Sequence, residues 1–304
     1  MYVVTGATGN SGHVVAGNLL AKGKKVRALG RSEERLQALK DKGAEAVVCS
    51  LADPAALKKA FAGAKGVFLM IPPDMGAPDY RSYQDKIANA YAQALAEVHV
   101  DYAVVLSSVG ADKASGTGPV VGLHFLEERL AKIPGLSVLA VRAGYFMENT
   151  LAQIEVIKSM GVIAAPLRPE LELPMIAARD IGAFAAERLA RLDFSGSQTQ
   201  ELLGQRDISM AEAAGIVGRA IGRPHLTYAR ISNNEFVAAL EQMGASAHTA
   251  NLMAEMTDAL NAGHMAALEK RSPENTTPTS LESFVKEEFA PRFLGKPATA
   301  SRQR

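Results

Sequence analysis

The sequence predicts an α/β fold, a doubly wound parallel sheet (Rossmann) with a smaller, mostly helical C-terminal lobe. Three observations predict it. Short β-rich runs alternate with helical patterns through the first half of the chain. The strand candidates are continuous apolar runs, as a sheet covered on both faces requires. A glycine turn, Thr5-Gly6-Ala7-Thr8-Gly9-Asn10-Ser11-Gly12, directly follows the first of them. Its spacing is G-x-x-G-x-x-G rather than G-x-G-x-x-G, but its place between a strand and a helix suits a turn that brings backbone close to a pyrophosphate.

The elements follow in order. Tyr2-Val3-Val4 is a strand and His13 to about Lys22 a helix. Lys25 to Leu29 is a second strand; Ser32 then caps a helix with Glu33 and Glu34 in its first turn, where negative charge suits the dipole. Glu45 to Cys49 is a third strand, and Asp53-Pro54 reads as N-cap and first residue of a helix through Phe61. A fourth strand, Gly66 to Ile71, stops at Pro72-Pro73; a long helix covers about Asp79 to Glu97. A fifth, Tyr102 to Leu106, ends in Ser107-Ser108, with a helix from Val121 to Ala131 and a sixth strand from Leu136 to Val141.

Helices dominate the second half. Thr150 to Met160 is helical, Pro174 to Ile176 a short strand, and Asp180 caps a helix through about Leu189. Gln200 to Leu203 and His225 to Ala229 are strand candidates. Ser209 with Glu212 and Ser232 with Glu235 have capping-box spacing. Helices cover about Ala247 to Leu268 and Leu281 to Phe289. The expected organisation is a discontinuous nucleotide-binding domain (1–150 plus about 177–207), a substrate or partner lobe (151–176 plus 208–293) and a flexible tail (294–304).

Composition bounds the function. The chain has 304 residues, 48% hydrophobic, enough for one large core or a domain plus a smaller lobe. A net charge of +1, from 33 basic and 32 acidic residues, gives no electrostatic footprint for nucleic acid. Cys49 is the only cysteine, which excludes an intrachain disulfide, and it reads as a buried strand residue. The glycine turn stands where a signal peptide would need a continuous apolar segment, and no apolar run is long enough to span a membrane. The expectation is a cytoplasmic protein. The six histidines have no metal-ligand spacing and Gly-x-Ser-x-Gly is absent, so neither a metal site nor a hydrolase elbow is expected.

The end of the second strand decides the cofactor. An NAD site would place a carboxylate there to accept from the ribose 2′-hydroxyl. This strand ends Leu29-Gly30-Arg31-Ser32. A guanidinium suits a 2′-phosphate, so Arg31 points to NADPH over NADH.

Gly6-Ala7-Thr8-Gly9-Asn10-Ser11-Gly12, Gly30-Arg31-Ser32, Ser107-Ser108, Arg142-Ala143-Gly144-Tyr145-Phe146-Met147-Glu148-Asn149 and Ala178-Arg179-Asp180-Ile181 together resemble the NmrA-like group of atypical short-chain dehydrogenases/reductases. That group includes NADPH-dependent quinone oxidoreductases, isoflavone-reductase-like enzymes and redox-sensing regulators without turnover. The resemblance runs from Met1 to about Phe293. It implies Ser50 and Leu51 near the adenine, and Met70, Ile71 and Pro72 along the ribose. It also implies Ser107, Ser108 and Val109 under the nicotinamide, and Gly144, Tyr145 and Phe146 at its outer face.

The chain departs from the wider class at the catalytic pair. Typical short-chain dehydrogenases use Tyr-x-x-x-Lys on the helix after the fifth strand, and that spacing here gives Phe125 and Arg129. Phenylalanine transfers no proton, and arginine does not deprotonate. The candidate catalytic residues are therefore His124, Tyr145 and Arg129, with Tyr80 and Tyr83 as further possible donors. A quinone suits this set, because its reduced oxyanion needs little help to take a proton. Met253, Met256 and Leu260 at helical spacing, with Met147, Met160, Met175 and Met243, are candidates for an adaptable apolar wall. The leading expectation is NADPH-dependent reduction of a small apolar or aromatic substrate, a quinone or related conjugated carbonyl. The rival is a non-catalytic NADPH-binding redox sensor acting through a protein partner; a protein partner or a homodimer is a possible assembly in either case. An isoflavone-reductase-like or sugar-nucleotide enzyme is a further alternative, weakened by the missing lysine.

Overall fold

Adjacent residues of the first strand, β1 (Tyr2–Val4), point to opposite faces, and all three are buried, so both faces of the sheet must be covered. They are covered in a computed structural model that describes residues 1–295. The strands are β2 (Val26–Gly30), β3 (Glu45–Val48), β4 (Gly66–Leu69), β5 (Tyr102–Ser108), β6 (Ser137–Ala143), β7 (Tyr145–Phe146), β8 (Val162–Ala165), β9 (Glu172–Ile176), β10 (Ser197–Leu202), β11 (Asp207–Ser209) and β12 (Thr227–Arg230). The helices are α1 (Asn10–Ala21), α2 (Glu33–Lys40), α3 (Pro54–Phe61), α4 (Tyr80–Glu97), α5 (Val121–Ala131), α6 (Gln153–Met160), α7 (Ala178–Arg191), α8 (Met210–Ala220), α9 (Asn233–Gln242), α10 (Ala247–Asn261), α11 (Leu281–Phe284) and α12 (Ala290–Phe293).

Seven strands form one sheet in the order β10-β6-β5-β4-β1-β2-β3, and every neighbouring pair is parallel. β1 lies between β2 and β4, so the order reverses there and a crevice opens at the carboxyl edge. Val4, Phe68, Val104 and Val141 pack with Val15 and Leu19 of α1 and Ile181 and Leu189 of α7. Val3, Val67, Leu69 and Val105 pack on the other face with Phe61, Ile87, Tyr91 and Leu126 of α3, α4 and α5. Each such apolar side chain contributes about 1.5–3 kcal/mol by leaving water.

Caps fix the helix starts as the sequence indicates. Ser32 accepts from the Arg35 N–H, Asp53 from those of Ala55 and Ala56, and Asp79 from that of Ser82. Ser232 and Glu235 close a reciprocal capping box. At Ser209 only half of one forms, because the Glu212 carboxylate turns to Arg206 at 2.7 Å. Asp180 is not an N-cap. It sits in the first turn of α7 and accepts from the Thr279 N–H (2.9 Å) and hydroxyl (2.7 Å), while Glu148 receives the Ala178 N–H at 3.0 Å.

A further apolar cluster outside the seven-stranded sheet includes Met147, Ile163, Met175, Ile208, Val217, Leu226, Phe284 and Phe289. A two-stranded parallel pair, β8 with β12, and the small sheet β11-β9-β7 brace it. The segment read as helix from Thr150 is a 3₁₀ stretch over Met147–Ala152 before α6 begins. The helix read through Leu268 stops at Asn261. There Gly263 takes φ +70°, and the Met265 N–H bonds back to the Ala259 carbonyl at 3.1 Å, so the chain reverses. The last helix is broken by a π turn over Val285–Phe289. Cys49 falls just past β3 and is partly exposed rather than a buried strand residue. Of the tail expected at 294–304, Leu294 still closes a turn on the Ala290 carbonyl, and residues from 296 lie outside the described residues.

Candidate functional site

The carboxyl edge of the sheet gathers most of the residues singled out above. Between β1 and α1, Gly6 takes φ +60°, and a side chain there would strike the Met70 thioether. A side chain on Gly12 would strike the Gly6 carbonyl oxygen, so only glycine lets α1 start this close to the turn. Gly9 precedes α1, and among the described residues no side chain caps that helix, whereas α2, α3 and α4 are all capped. An uncapped N-terminus of a 12-residue helix above a glycine turn is a cradle for an anion. Asn10 is exposed at this turn, and Ser11 is buried against Gly182 of α7.

Arg31 follows β2 directly and is exposed beside the turn. The Thr8 methyl lies against Gly30. A second guanidinium, unremarked in the sequence, joins them: Arg35 donates from Nη2 to the Thr8 carbonyl at 3.3 Å. No carboxylate stands at Gly30-Arg31-Ser32. The bare helix end and the two guanidiniums fit a dinucleotide carrying a 2′-phosphate.

The remaining edge positions hold their places by short bonds. Ser50 accepts the Ala52 N–H at 3.2 Å, and Leu51 is buried beside it. The Tyr91 hydroxyl donates to the Met70 carbonyl and the Tyr83 hydroxyl to that of Pro72, each at 2.8 Å, which fixes the chain from Met70 through Ile71 to Pro72.

Beyond β5 and β6 opens a cavity of about 580 Å³. Its lining includes Ser108, Val109 and Gly144 at the strand ends, Tyr145, Phe146 and Asn149 just after them, and Leu171, Leu173 and Pro174 leading into and along the paired strand β9. Met256, Leu260 and Met265 also line it, as do Glu172, Asp207, Glu269, Lys270 and Arg271. Arg271 is tied down: it pairs with Asp207 and donates to the carbonyls of Gly204 (2.6 Å) and Leu203 (3.0 Å). Burial raises the Tyr145 phenol above its ordinary value, and the Asn149 side chain pulls it partly back.

Several candidates lie elsewhere. His124 Nδ1 is 2.9 Å from the Ala111 carbonyl and Nε2 is 3.6 Å from Glu128, and neither nitrogen lines the cavity. Arg129 reaches across to α4 and bonds Asp85 at 2.9 Å, away from the cavity. Ser107 and Ser108 alternate: Ser108 lines the cavity, but Ser107 is buried behind the strand and donates to Glu127 at 2.5 Å. Glu127 also receives the Arg142 guanidinium at 3.1 and 2.6 Å, binding α5 to the ends of β5 and β6. Sequence reasoning missed Glu127, although its place on the helix of the displaced catalytic pair was a signal. Tyr80 packs with Ala77 and Leu252 outside the cavity, its phenol pushed up to about 12 by burial and by Tyr83 and Asp74. Of the methionines, Met256 lines the cavity, Met253 does not, Met147 and Met175 are core, and Met160 and Met243 are 67% and 71% exposed. Met265 was missed, and the Gly263 turn that sends it inward was the available signal. Among the described residues no group of three or more His, Cys, Asp or Glu could hold a metal ion. No helix among them is long and apolar enough to cross a membrane.

The fold and this edge define a doubly wound nucleotide-binding protein whose cleft runs into an apolar cavity at the ends of β5 and β6. More narrowly, the chain belongs to the NmrA-like family, whose sequence profile matches residues 2–285. It is 32% identical to a (4-alkanoyl-5-oxo-2,5-dihydrofuran-3-yl)methyl phosphate reductase of Streptomyces griseus over 224 residues, 74% of this chain and 75% of that protein. It is 28% identical to an NAD(P)H azoreductase of Xenophilus azovorans over 258 residues, 84% of this chain and 86% of that one. A solved structure of the NADPH-dependent quinone oxidoreductase of Escherichia coli, complexed with NADPH, superposes with a TM-score of 0.78 at 25% identity, covering 95% of this chain and all of that one.

Proposed function

We propose that this chain is an NADPH-dependent oxidoreductase that reduces a quinone or a related conjugated carbonyl. One observation carries the reading: the apolar cavity opens on the carboxyl ends of β5 and β6, where a nicotinamide would lie against Ser108, Val109 and Gly144. NADPH supplies the hydride when bound. The turn from Gly6 through Thr8, Gly9, Asn10, Ser11 and Gly12 holds the pyrophosphate, and Arg31 with Arg35 holds the 2′-phosphate. Ser50 and Leu51 flank the adenine, and Met70, Ile71 and Pro72 flank the ribose. In this reading, residues 1–150 with about 177–207 bind the cofactor, and 151–176 with 208–293 shape the acceptor side.

The apolar walls hold a flat acceptor and exclude water, so positioning carries much of the rate. Tyr145 is the proton donor. Its raised phenol stays protonated across the neutral range and gives its proton to the acceptor oxygen as hydride arrives. His124 and Arg129 have no part, since their polar atoms are committed elsewhere. The relatives named reductase and quinone oxidoreductase agree with this reading. A pure sensor would be expected to fill the space beside the nicotinamide, and an isoflavone-reductase-like or sugar-nucleotide enzyme would call for a lysine that α5 lacks.

Ala267 offers a test, because it lines the cavity and is not among the residues read as holding the nucleotide. Ala267→Trp fills the acceptor space. Acceptor-dependent NADPH oxidation should fall at least tenfold while calorimetric NADPH binding stays unchanged. Unimpaired turnover in the filled variant would remove the cavity from the reaction.

A further inference from the structure

The starts of α4 and α10, far apart in the chain, interlock. α10 supplies Met256 and Leu260 to the cavity. Its N-cap, Ser246, precedes Met256 by about 15 Å of helix. That end is fastened to residues 72–79, which run from the segment read above as flanking the ribose to the start of α4. The Ser246 N–H donates to the Met75 carbonyl at 2.9 Å, and its hydroxyl donates to the Ala77 carbonyl at 2.6 Å. The buried Thr249 hydroxyl lies 2.9 Å from Ser246 Oγ and 3.4 Å from the same carbonyl. His248 Nδ1 accepts the Tyr80 N–H at 3.1 Å, so a side chain of α10 satisfies an otherwise orphaned donor in the first turn of α4. Leu252 packs with Ala77 and Tyr80 beside these bonds.

Both sides of this clasp extend into the site. From α4, the Tyr83 and Tyr91 hydroxyls hold the Pro72 and Met70 carbonyls. Pro72, Pro73 and Pro78 stiffen the connecting segment by fixing φ. Along α10, the chain after β5 comes so close at Gly118 that a side chain there would strike the Leu252 carbonyl. At the far end, Asn261 accepts the Arg168 N–H at 2.8 Å and donates to the Pro166 carbonyl at 3.1 Å. α10 is a strut fastened at both ends.

We propose that Ser246 and His248 are positioning residues for the acceptor: they couple the segment that flanks the ribose to the cavity wall carried by α10, so that NADPH in its cleft holds Met256 and Leu260 in place. The proposal rests on the reading of Met70 to Pro72 as the ribose side and of the cavity as the acceptor site. Such coupling requires that bound nucleotide favours the clasped arrangement, here by restricting residues 72–79. A merely structural contact would stabilise α10 equally with and without NADPH.

The test follows amide hydrogen exchange in the full-length protein with and without NADPH. In the wild type, NADPH should slow exchange several-fold in both 72–79 and 247–261. Ser246→Ala removes the N-cap of α10, whereas His248→Ala leaves it intact. In both variants NADPH should still protect 72–79 but lose most of its effect on 247–261. Ser246→Thr, which keeps the hydroxyl, and His248→Asn, which keeps an acceptor near the Nδ1 position, should restore that effect. In turnover, the two alanine variants should raise KM for the acceptor several-fold with kcat and KM for NADPH nearly unchanged. Protection of 247–261 that persists undiminished in both alanine variants, or is missing from the wild type, or an acceptor KM unmoved in both, would overturn the proposal. The exchange measurement needs no acceptor, so it decides the role of the clasp even if no acceptor oxidises NADPH, a result that would instead count against the proposed function.

Discussion

In the proposed reading Arg31 carries the choice of cofactor, and that role can be tested separately from the rest of the cleft. It is exposed, at the end of β2, with Arg35 anchored beside it on the Thr8 carbonyl. Arg31→Ala should weaken NADPH binding by about 1.5–3 kcal/mol, the range for a hydrogen bond to a charged group. NADH binding, measured by the same calorimetry, should hardly change. Equal losses for both nucleotides would mean that Arg31 contacts no 2′-phosphate. Tyr145 makes the other prediction at this scale. Its phenol is raised by burial, so it is protonated at and below neutrality and loses its proton only in the alkaline range. The kcat/KM for the acceptor should therefore be flat through neutral pH and fall only at alkaline pH, and Tyr145→Phe should remove the fall along with most of the rate.

Among the elements, α5 shows how the site is held. It lacks the Tyr-Lys pair, but Glu127 binds both Ser107 and Arg142 from it, with only 13% and 12% of the Glu127 and Arg142 side chains exposed. Arg142→Ala leaves a mostly buried carboxylate without its cation. It should destabilise the fold by about 3–5 kcal/mol, read from urea midpoints, whereas Glu127→Gln, which keeps the Ser107 contact, should cost less. A loss within half a kcal/mol of wild type would show the pair to be solvated. Much at this scale was legible in the sequence. Ser32, Asp53-Pro54 and Asp79 announced three helix starts because capping is local chemistry. Asp180 misled because the same residue type also serves as a long-range acceptor, here for Thr279, 99 positions away. The direction of Ser107 against Ser108 and the reach of Arg129 to Asp85 depend on tertiary packing, which residue type and spacing do not encode.

At the scale of the whole molecule, the chain from 262 to 280 runs back over the carboxyl edge and supplies Met265, Ala267, Lys270 and Arg271 to the cavity. Buried Glu201 at the end of β10 anchors it, accepting from the N–H groups of Leu268 (2.9 Å) and Glu269 (2.8 Å). Glu201→Gln should speed hydrogen exchange across 262–280 while leaving β1 to β6 protected, and should raise KM for the acceptor several-fold with NADPH affinity intact. Uniform faster exchange throughout would make Glu201 a general stability element. The doubly wound sheet was visible in the sequence because alternating apolar runs and helices encode it directly. The cavity was only partly so: Met256 and Leu260 follow helical spacing, but Met265 reaches it through a left-handed glycine turn and a strap with no periodicity.

The central claim is that hydride leaves NADPH for an acceptor seated in this cavity. Mixing the purified chain with NADPH under anaerobic conditions and a panel of quinones, and following nicotinamide absorbance, tests it most directly. The account predicts acceptor-dependent loss of absorbance, slowed by Tyr145→Phe and, at low NADPH, by Arg31→Ala. Tight NADPH binding with no oxidation by any quinone would contradict it and favour a sensor.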